Sequence, residues 1–394
     1  MRIAINGAGV AGPALAYWLL KTGHEPVLIE RAPKLREGGY IIDFWGLGYT
    51  IAEKMGILPA VRSAGYQVEE VRMVNAKSRR VGGFRVSALE RLTHGRFTSL
   101  PRSALSRAIY DALEDRIETV FGDSITRIEE RGEDVLVSFE TEPPRAFDLV
   151  IGAGGLHSQV RALSFGPQSD FERDLGYRVA AFQLAGYKRR DELAYVGFAS
   201  PGRQIARFSM RDDRTLILAV FQAQLTGGAE PLDLASRKTL LAHIFDGVGW
   251  EWPEIRAALA DVEEVYYDRV SQIEMDHWSK GRVALIGDAA ACVSLLAGEG
   301  TGLALLEAFV LAGELKRAAN DHQQAFRSYE ERLKPLIQRK QKSARDFAAS
   351  FTPKTALGIW LRNQVTKLMA IPLVTELAIG RTLKDDFQLP DYGI

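Results

Sequence analysis

Length, composition and charge are typical of a soluble globular chain and exclude several classes of protein. The chain has 394 residues, of which 46% are hydrophobic and 25% charged, and 50 basic residues balance 50 acidic ones. This balance provides no basic surface for nucleic acid, and the arginines are spread along the sequence. At this length we expect two closely joined domains rather than a single core.

Residue types that often form disulfides, bind metals or act as nucleophiles are few and scattered. Cys292 is the only cysteine, so no intramolecular disulfide can form, and a cytoplasmic location is expected. The six histidines match no metal-ligand spacing and no G-x-S-x-G elbow is present, so we predict neither a metal site nor a nucleophilic hydrolase. No signal peptide is visible, and no run of about 18 apolar residues predicts a membrane span.

The first thirty residues read as a strand, a glycine turn, a helix, a second strand and an acid. Residues 2–6 predict the first strand, and the glycines that follow complete a G-x-G-x-x-G motif. Gly7 permits the tight turn, Gly9 lets the backbone approach a pyrophosphate, and Gly12 lets the helix lie close to the strand. Glu30 ends the second strand, at a place where a carboxylate can accept hydrogen bonds from the ribose hydroxyls of a dinucleotide. The pattern predicts an adenine dinucleotide site.

The class of dinucleotide stays open at this point of the chain. Arg31 directly follows Glu30, and an arginine in that place can pair with the 2′-phosphate of NADP. Gly38 and Gly39 come soon after and lead to Asp43. The choice between a nicotinamide and a flavin cofactor therefore depends on later motifs.

Two later stretches add candidate residues. A helix is predicted to open near residue 100, with Arg102 at its start, where an arginine can lie on cofactor phosphates or stay solvated. Residues 147–161 read as another strand and glycine turn that includes Gly154. The helix after it is short and no ribose-binding acid follows. We therefore predict that the chain here returns to the first dinucleotide domain.

The most specific stretch is 281–302, in which a strand runs into Gly287 and Asp288. An acid at the end of a strand can accept hydrogen bonds from a polyol such as ribitol. A glycine loop at 298–302 then leads into a predicted helix at 303–315. The loop brings unpaired backbone N–H groups together with the positive N-terminus of the helix. This combination would stabilise the anionic pyrimidine edge of a reduced flavin. Purely structural glycines are the alternative.

In this order the motifs resemble those of class A flavoprotein monooxygenases, the p-hydroxybenzoate hydroxylase-like family. Within it, the chain is most similar to tetracycline-inactivating and polyketide-tailoring FAD monooxygenases. The resemblance implies an α/β fold with a Rossmann-like FAD-binding domain, a mixed β-sheet substrate domain and a C-terminal helix. It implies bound FAD, with NADPH or NADH as a transient reductant. The cofactor-binding residues that it implies are Gly7, Gly9, Ala11, Gly12, Glu30, Arg31, Arg36, Asp43, Arg102, Gly154, Gly287, Asp288, Gly298, Gly300, Thr301 and Gly302.

Three departures from the family pattern bear on cofactor handling. Gly154 stands where the family usually has the Asp of an Asp-Gly pair. Ala291 and Ser294 replace a common His and Pro, and Gly302 replaces a common Asn. FAD binding remains the expectation, whereas efficient reduction by a pyridine nucleotide is left open.

The resemblance also divides the chain into domains. The predicted ranges are 1–75, 98–170 and 271–350 for the FAD-binding domain, 76–97 and 171–270 for the substrate domain, and 351–394 for a C-terminal bridging helix region. Residues 203–210 alternate in polarity as a strand does. A sheet of this kind covers the substrate cavity in the family, so Gln183, Arg207 and Phe221 are candidate substrate-lining residues. A core or exposed role is the alternative for each.

The C-terminal stretch has apolar residues interleaved with basic ones, a pattern that predicts an amphipathic helix. Binding to a membrane surface is one interpretation, and a helix that bridges the two domains is preferred. The residues that form this pattern are Leu357, Trp360, Leu361, Arg362, Lys367, Leu368 and Ile371.

The predicted activity is that of an FAD-dependent monooxygenase. It would use NAD(P)H and O2 to hydroxylate an aromatic or polyketide-like small molecule through a flavin hydroperoxide, as a monomer or homodimer. The sequence identifies no catalytic acid or base. The alternatives are a flavin halogenase, an ene-reductase, or an FAD-binding protein with little turnover.

Overall fold

A computed structural model describes residues 1–36, 40–319, 321–369 and 387–394, without the side chains at 88, 89 and 347–350. Gly38, Gly39 and Ile371 lie outside these ranges. The strands are β1 (Arg2–Asn6), β2 (Glu25–Glu30), β3 (Ile41–Trp45), β4 (Glu70–Val74), β5 (Arg80–Arg85), β6 (Phe97–Pro101), β7 (Glu118–Phe121), β8 (Ile125–Glu130), β9 (Val135–Phe139), β10 (Arg145–Phe147), β11 (Leu149–Gly152), β12 (Glu172–Ala185), β13 (Ala194–Ser200), β14 (Arg203–Ser209), β15 (Arg214–Gln222), β16 (Tyr266–Ile273), β17 (Ser279–Lys280) and β18 (Val283–Leu285). The helices are α1 (Ala11–Lys21), α2 (Gly46–Lys54), α3 (Leu58–Ala64), α4 (Ser87–Leu92), α5 (Arg102–Asp111), α6 (Gln159–Ser164), α7 (Leu234–Ile244), α8 (Trp252–Leu259), α9 (Asp288–Ala291), α10 (Gly300–Arg317), α11 (His322–Phe351) and α12 (Ala356–Leu368).

A six-stranded sheet carries the N-terminal motif, in the order β17-β18-β11-β1-β2-β7. The strands from β18 to β7 are parallel, and β17 is antiparallel to β18. Its central strands are almost entirely apolar and buried, as expected for a parallel sheet covered on both faces. Ile5 of β1 lies opposite Ile151 of β11. The predicted return of the chain near residue 150 is therefore confirmed.

A seven-stranded sheet has the order β16-β12-β15-β14-β13-β4-β5 and is antiparallel apart from the parallel pair β13–β4. The predicted alternation holds, because Ile205 packs toward α7 and α8 whereas Phe208 packs on the opposite face. The α/β fold with a parallel dinucleotide-binding sheet and a second, mixed sheet is confirmed. β4, within the range 1–75 that was assigned to the FAD domain, pairs in this second sheet. The domain ranges themselves stay a prediction.

The largest apolar cluster surrounds the six-stranded sheet, α1 and α10. Trp18 of α1 meets Phe309 of α10 edge to face, with ring centroids 5.0 Å apart. A second cluster fills the space between the seven-stranded sheet and α7 and α8. The first turns of α1 and α10, which the large cluster holds in place, are the parts of the fold that matter most for the site.

α12 follows α11 and packs across the edge strand β5. Its inward side is polar, since Asn363 is buried and Thr366 accepts a hydrogen bond from the Gly83 N–H. Its apolar residues point outward, and Leu357 and Trp360 are both more than half exposed. The structure does not describe residues 370–386 of the predicted bridging region. Within the described residues, no helix is both long and apolar enough to cross a membrane.

Candidate cofactor site

A cavity of about 520 Å³ lies at the carboxyl ends of the parallel strands β1, β2, β11 and β18. We call it the cofactor cleft. Ligands bind outside the carboxyl ends of the strands in open α/β sheets, so its position agrees with the motifs. The predicted cofactor residues that line it are Gly7, Gly9, Ala11, Glu30, Arg31, Arg36, Arg102, Gly154, Gly287, Asp288, Gly298, Gly300 and Thr301.

The glycine turn after β1 is shaped by two close backbone contacts. Gly7 has φ +116°, and a Cβ there would lie 2.5 Å from the Ala153 carbonyl oxygen. A Cβ on Gly12 would lie 1.9 Å from the Gly7 carbonyl oxygen, so Gly12 serves packing and does not line the cleft. No described side chain caps α1 at its N-cap residue Val10. Its first-turn N–H groups are therefore available to an anion.

Glu30 is buried at the end of β2, and its carboxylate is held on both oxygens. Oε2 accepts a hydrogen bond from the Ala8 N–H at 2.8 Å, and Oε1 accepts one from the Ala32 N–H at 3.0 Å. The Arg36 guanidinium stands 4.0 Å from Oε1. Each carboxylate oxygen has two lone pairs, so this fixed group keeps acceptor capacity for a hydroxyl in the cleft.

Arg102 begins α5 and reaches over the glycine turn. Its backbone N–H donates to the Tyr40 carbonyl at 3.1 Å. Its Nη2 atom lies 3.7 Å from the position that a Cβ on Gly9 would occupy. No ion pair joins Arg102 to an acidic side chain in the described part of the chain. The arrangement places an available positive charge where a pyrophosphate would lie.

Asp288 and the N-terminus of α10 form a further part of the wall. Burial raises the pKa of Asp288, and the positive charge of Arg102 acts in the opposite direction. The Gly287 N–H donates to Glu307 Oε2 at 2.5 Å, which anchors the turn before Asp288. Gly300 comes close to the acid, since a Cβ there would lie 3.4 Å from Asp288 Oδ1.

Asp43 and Gly302 do not line the cofactor cleft. Both line a small adjoining cavity of about 20 Å³, and Gly298 borders the two cavities. Burial raises the pKa of Asp43, and a hydrogen bond that Ser99 donates at 2.5 Å opposes the rise. Gly302 packs against α2, where a Cβ on Gly48 would lie 2.4 Å from the Gly302 Cα.

The three residues predicted to line a substrate cavity lie elsewhere. Arg207 is 4% exposed, and its guanidinium pairs with Glu251 at 2.8 Å and with Asp191 at 2.5 Å. Phe221 is fully buried in the apolar cluster toward α7 and α8. Gln183 accepts a hydrogen bond from Arg214 and does not border the cofactor cleft. The alternation showed which residues share a face, but not which face meets the cleft.

The structure adds a polar cluster to the cleft that the motifs did not reveal. The Tyr266 hydroxyl donates to Asp268 Oδ2 at 3.2 Å, and His157 Nε2 lies 3.4 Å from the same oxygen. The hydrogen bond with Asp268 raises the pKa of His157. Tyr40 and Tyr266 stand with ring centroids 5.6 Å apart. His157 and Asp268 are far apart in the chain, so no local pattern could have joined them.

The fold and the cleft together define a dinucleotide-binding protein, and comparison with known proteins identifies its family. Residues 1–344 match the family model described as FAD binding domain. The chain belongs to this family, among the class A FAD-dependent monooxygenases.

Similar proteins cover nearly all of the chain. A flavin-dependent monooxygenase from an unknown prokaryotic organism is 33% identical over 99% of both chains. The FAD-dependent monooxygenase asL4 of Sarocladium schorii is 28% identical over 100% of this chain and 98% of its own. Among solved structures, the tetracycline destructase Tet(51) superposes with a TM-score of 0.84 at 30% identity, covering 99% of both chains.

Proposed function

We propose that this monooxygenase binds FAD along the cofactor cleft and uses NADPH or NADH and O2 to hydroxylate an aromatic or polyketide-like small molecule. One observation carries the cofactor assignment. Glu30 and Asp288 share a single cleft with the first residues of α1 and α10, Ala11 and Gly300. Two acids for hydroxyls and two helix N-termini for electron-rich groups match the chemistry of one extended FAD.

Each group has a defined task in this proposal. Glu30 accepts hydrogen bonds from the ribose, and Asp288 accepts them from the ribityl chain. The first-turn N–H groups of α1 and the Arg102 guanidinium bind the pyrophosphate, while the N-terminus of α10 binds the pyrimidine edge. Bound FAD supplies hydride acceptance and oxygen activation. The protein binds and orients the FAD and the substrate, and it excludes water from the site.

The substrate assignment is supported by the aromatic wall of the cleft and by the relatives. Tyr40 and Tyr266 border the cleft beside Leu295, and stacked or tilted aromatic contacts favour a planar, electron-rich ligand. The similarity to a solved tetracycline destructase supports a polycyclic substrate. Arg36, whose side chain is 65% exposed at the cleft, is proposed to contact the pyridine nucleotide. The six-stranded sheet would then form the FAD-binding domain, and the seven-stranded sheet would cover the substrate.

Anaerobic reduction followed by oxygenation tests this function. The purified protein with bound FAD is mixed with NADH or NADPH across a library of phenols and polycyclic aromatics, and flavin bleaching is followed by absorbance. One compound should accelerate bleaching and, on exposure to isotopically labelled O2, gain one labelled oxygen atom. Chloride-dependent chlorination, or saturation of the compound without O2, would contradict the hydroxylase assignment.

A second candidate is an FAD-binding protein with little turnover. Gly154 supports it, because the carboxylate that the family places there for cofactor handling is missing. A Cβ at this position would lie 3.3 Å from Asn6 Oδ1 and 3.4 Å from the Ser158 Cα, so a larger residue would be tightly packed. Tight FAD binding without oxidation of NADH or NADPH by any compound would favour this candidate.

A further inference from the structure

α12 presents a row of apolar side chains to the outside of the molecule. Residues three or four positions apart lie on one face of a helix, and the apolar residues of α12 follow this spacing. Their side chains are between 48% and 65% exposed. Among the side chains that the structure describes, five of the seven large hydrophobic ones that are exposed belong to this row. The residues of this α12 stripe are Leu357, Trp360, Leu361, Val365 and Leu368.

Hydrogen bonds on the opposite side of α12 fix this orientation. The Arg362 guanidinium donates to Gln204 Oε1 of β14 at 2.5 Å and to the Phe351 carbonyl oxygen at 3.1 Å. Thr366 Oγ1 accepts a hydrogen bond from the Gly83 N–H of β5 at 3.0 Å. Turning the stripe inward would break these bonds and leave their partly buried donors without acceptors, which is unfavourable. The outward position of the stripe is therefore a fixed feature of the fold.

Positive charge borders the α12 stripe. Lys354, just before the helix, and Lys367, in its last turn, are both exposed. α12 contains no acidic residue. The strand on which it packs, β5, begins and ends with the exposed residues Arg80 and Arg85, and Arg80 pairs with Glu70 at 3.2 Å. The chain as a whole has no net charge, so this positive charge is a local excess.

We propose that α12 is a docking surface for an anionic lipid membrane. A helix with one apolar face and basic residues beside it lies in the plane of the membrane interface, with its apolar face at the boundary of the acyl chains. The aromatic ring of Trp360 suits this boundary. The long side chains of Lys354 and Lys367 can extend to the headgroups while their alkyl stems stay beside the stripe.

The charges favour an anionic lipid surface over a second copy of the chain. In an antiparallel pair of α12 helices, Lys354 of one copy would approach Lys367 of the other, and in a parallel pair each lysine would approach its counterpart. α12 offers no acid to compensate, and like charges that meet across an interface are unfavourable. An anionic membrane compensates both lysines at once and also covers the stripe.

Sedimentation of the full chain, loaded with FAD, together with lipid vesicles tests the proposal. The protein should sediment with vesicles of phosphatidylglycerol and phosphatidylcholine in equal parts, and much less with phosphatidylcholine alone. High salt should reduce this difference, because exposed charges are screened. The double variant Leu357→Glu with Leu361→Glu should lower the partition coefficient at least about tenfold. Leu163→Glu, at an exposed leucine of α6, is the matched control and should not change it.

The basic residues are tested separately. Lys354→Gln with Lys367→Gln should weaken binding to the anionic vesicles about 10- to 30-fold and leave binding to phosphatidylcholine unchanged. Lys21→Gln, at an exposed lysine of α1, should change neither. The substituted residues do not border the cofactor cleft, so every variant should keep its bound FAD, and retained FAD absorbance verifies that the variant is folded.

Fluorescence shows whether the stripe itself enters the lipid. Trp360→Phe keeps the stripe apolar and should still bind the anionic vesicles. Lipids with brominated acyl chains should quench the tryptophan fluorescence of the unmodified protein more than that of Trp360→Phe. The proposal is overturned if the unmodified protein does not sediment with the anionic vesicles, or if the two proteins are quenched equally.

The other occupants of the stripe give different results. A second copy would appear as a dimer by light scattering, and Leu357→Glu with Leu361→Glu would dissociate it. If residues 370–386 of the same chain covered the stripe, the protein would remain a monomer and would not bind the vesicles. Either result overturns membrane docking, and neither bears on the FAD assignment.

Discussion

Among single residues, the glycines after β1 are expected to have two distinct roles: Gly9 serves cofactor binding, and Gly12 serves packing. A Cβ on Gly9 would meet only Arg102 Nη2, at 3.7 Å, whereas one on Gly12 would lie 1.9 Å from the Gly7 carbonyl oxygen. Gly9→Ala should therefore leave the FAD-free protein as stable as before and raise the FAD dissociation constant at least about tenfold, because the methyl group faces the pyrophosphate. Gly12→Ala should destabilise the FAD-free protein by about 1–3 kcal/mol.

Thermal unfolding of the FAD-free variants and fluorescence titration with FAD measure the two effects, and each variant is the control for the other. Equal loss of stability in both would contradict the division of roles.

The residues that sequence patterns could bring together in one site lie a short distance apart in the chain. Gly7 and Glu30 lie within one strand–helix–strand unit, and the structure brings them to one cleft. The pairs His157–Asp268 and Glu299–Lys340 join residues far apart in the chain. Only the packing of β16 and α11 against the glycine loops places these side chains together, and no local pattern encodes that packing.

For secondary-structure elements, the contact between α12 and the edge strand β5 is held by polar groups. The Gly83 N–H donates to Thr366 Oγ1 at 3.0 Å, and a Cβ on Gly82 would lie 3.0 Å from the Asn363 Cα. Thr366→Val keeps the shape but leaves the Gly83 N–H without its acceptor, which should cost about 0.5–1.5 kcal/mol.

Hydrogen exchange of the α12 amides should accelerate in Thr366→Val. Thr366→Ser keeps the hydroxyl and is the matched control, so it should exchange like the unmodified protein. Identical exchange in the two variants would show that the hydrogen bond does not hold the helix.

The elements also show where pattern-based prediction stops. Alternation at 203–210 identified a strand, and the structure places β14 there. The same pattern does not tell which face meets the cleft, and Arg207 and Phe221 lie on the side toward Glu251, α7 and α8 rather than at the cofactor cleft. At the C-terminus, the apolar stripe predicted an amphipathic helix, but α12 uses its polar side for the contact with β5.

At the scale of the whole molecule, a buried ion network joins the seven-stranded sheet to α8. Glu251 Oε2 accepts hydrogen bonds from Arg207 Nε at 2.8 Å and from the Tyr187 hydroxyl at 3.0 Å. Burial opposes ionisation of the nearby Asp191, but hydrogen bonds from Arg207 and Arg72 lower the pKa of that carboxyl. Removing one partner of a buried pair leaves a charge without compensation.

Glu251→Gln should therefore lower the free energy of unfolding by about 3 kcal/mol. Glu254→Gln, which breaks the exposed pair with Arg189, should lower it by at most about 1 kcal/mol. Urea denaturation of both variants measures the difference, and equal effects would argue against the network as a main source of stability.

The pH dependence of the protein's stability should reflect the titration of Glu307, which lies beneath the Gly287 turn. Burial raises the pKa of Glu307 from 4.5 to about 8, and the hydrogen bond from the Gly287 N–H acts against the rise. The folded state then binds a proton more tightly than the unfolded chain does. Between the two pKa values stability should fall as pH rises, by up to about 1.4 kcal/mol per pH unit.

Glu307→Gln stays neutral at every pH and should lose this slope, so its stability relative to the unmodified protein should improve from pH 6 to pH 9. Chemical denaturation with FAD in excess measures the change, and Glu331→Gln, an exposed position on α11, should show none. Parallel pH profiles for Glu307→Gln and the unmodified protein would mean that Glu307 is ionised in the folded state. In that case the Gly287 turn is anchored by a carboxylate rather than by a neutral acid, and its anchoring should persist in alkaline solution.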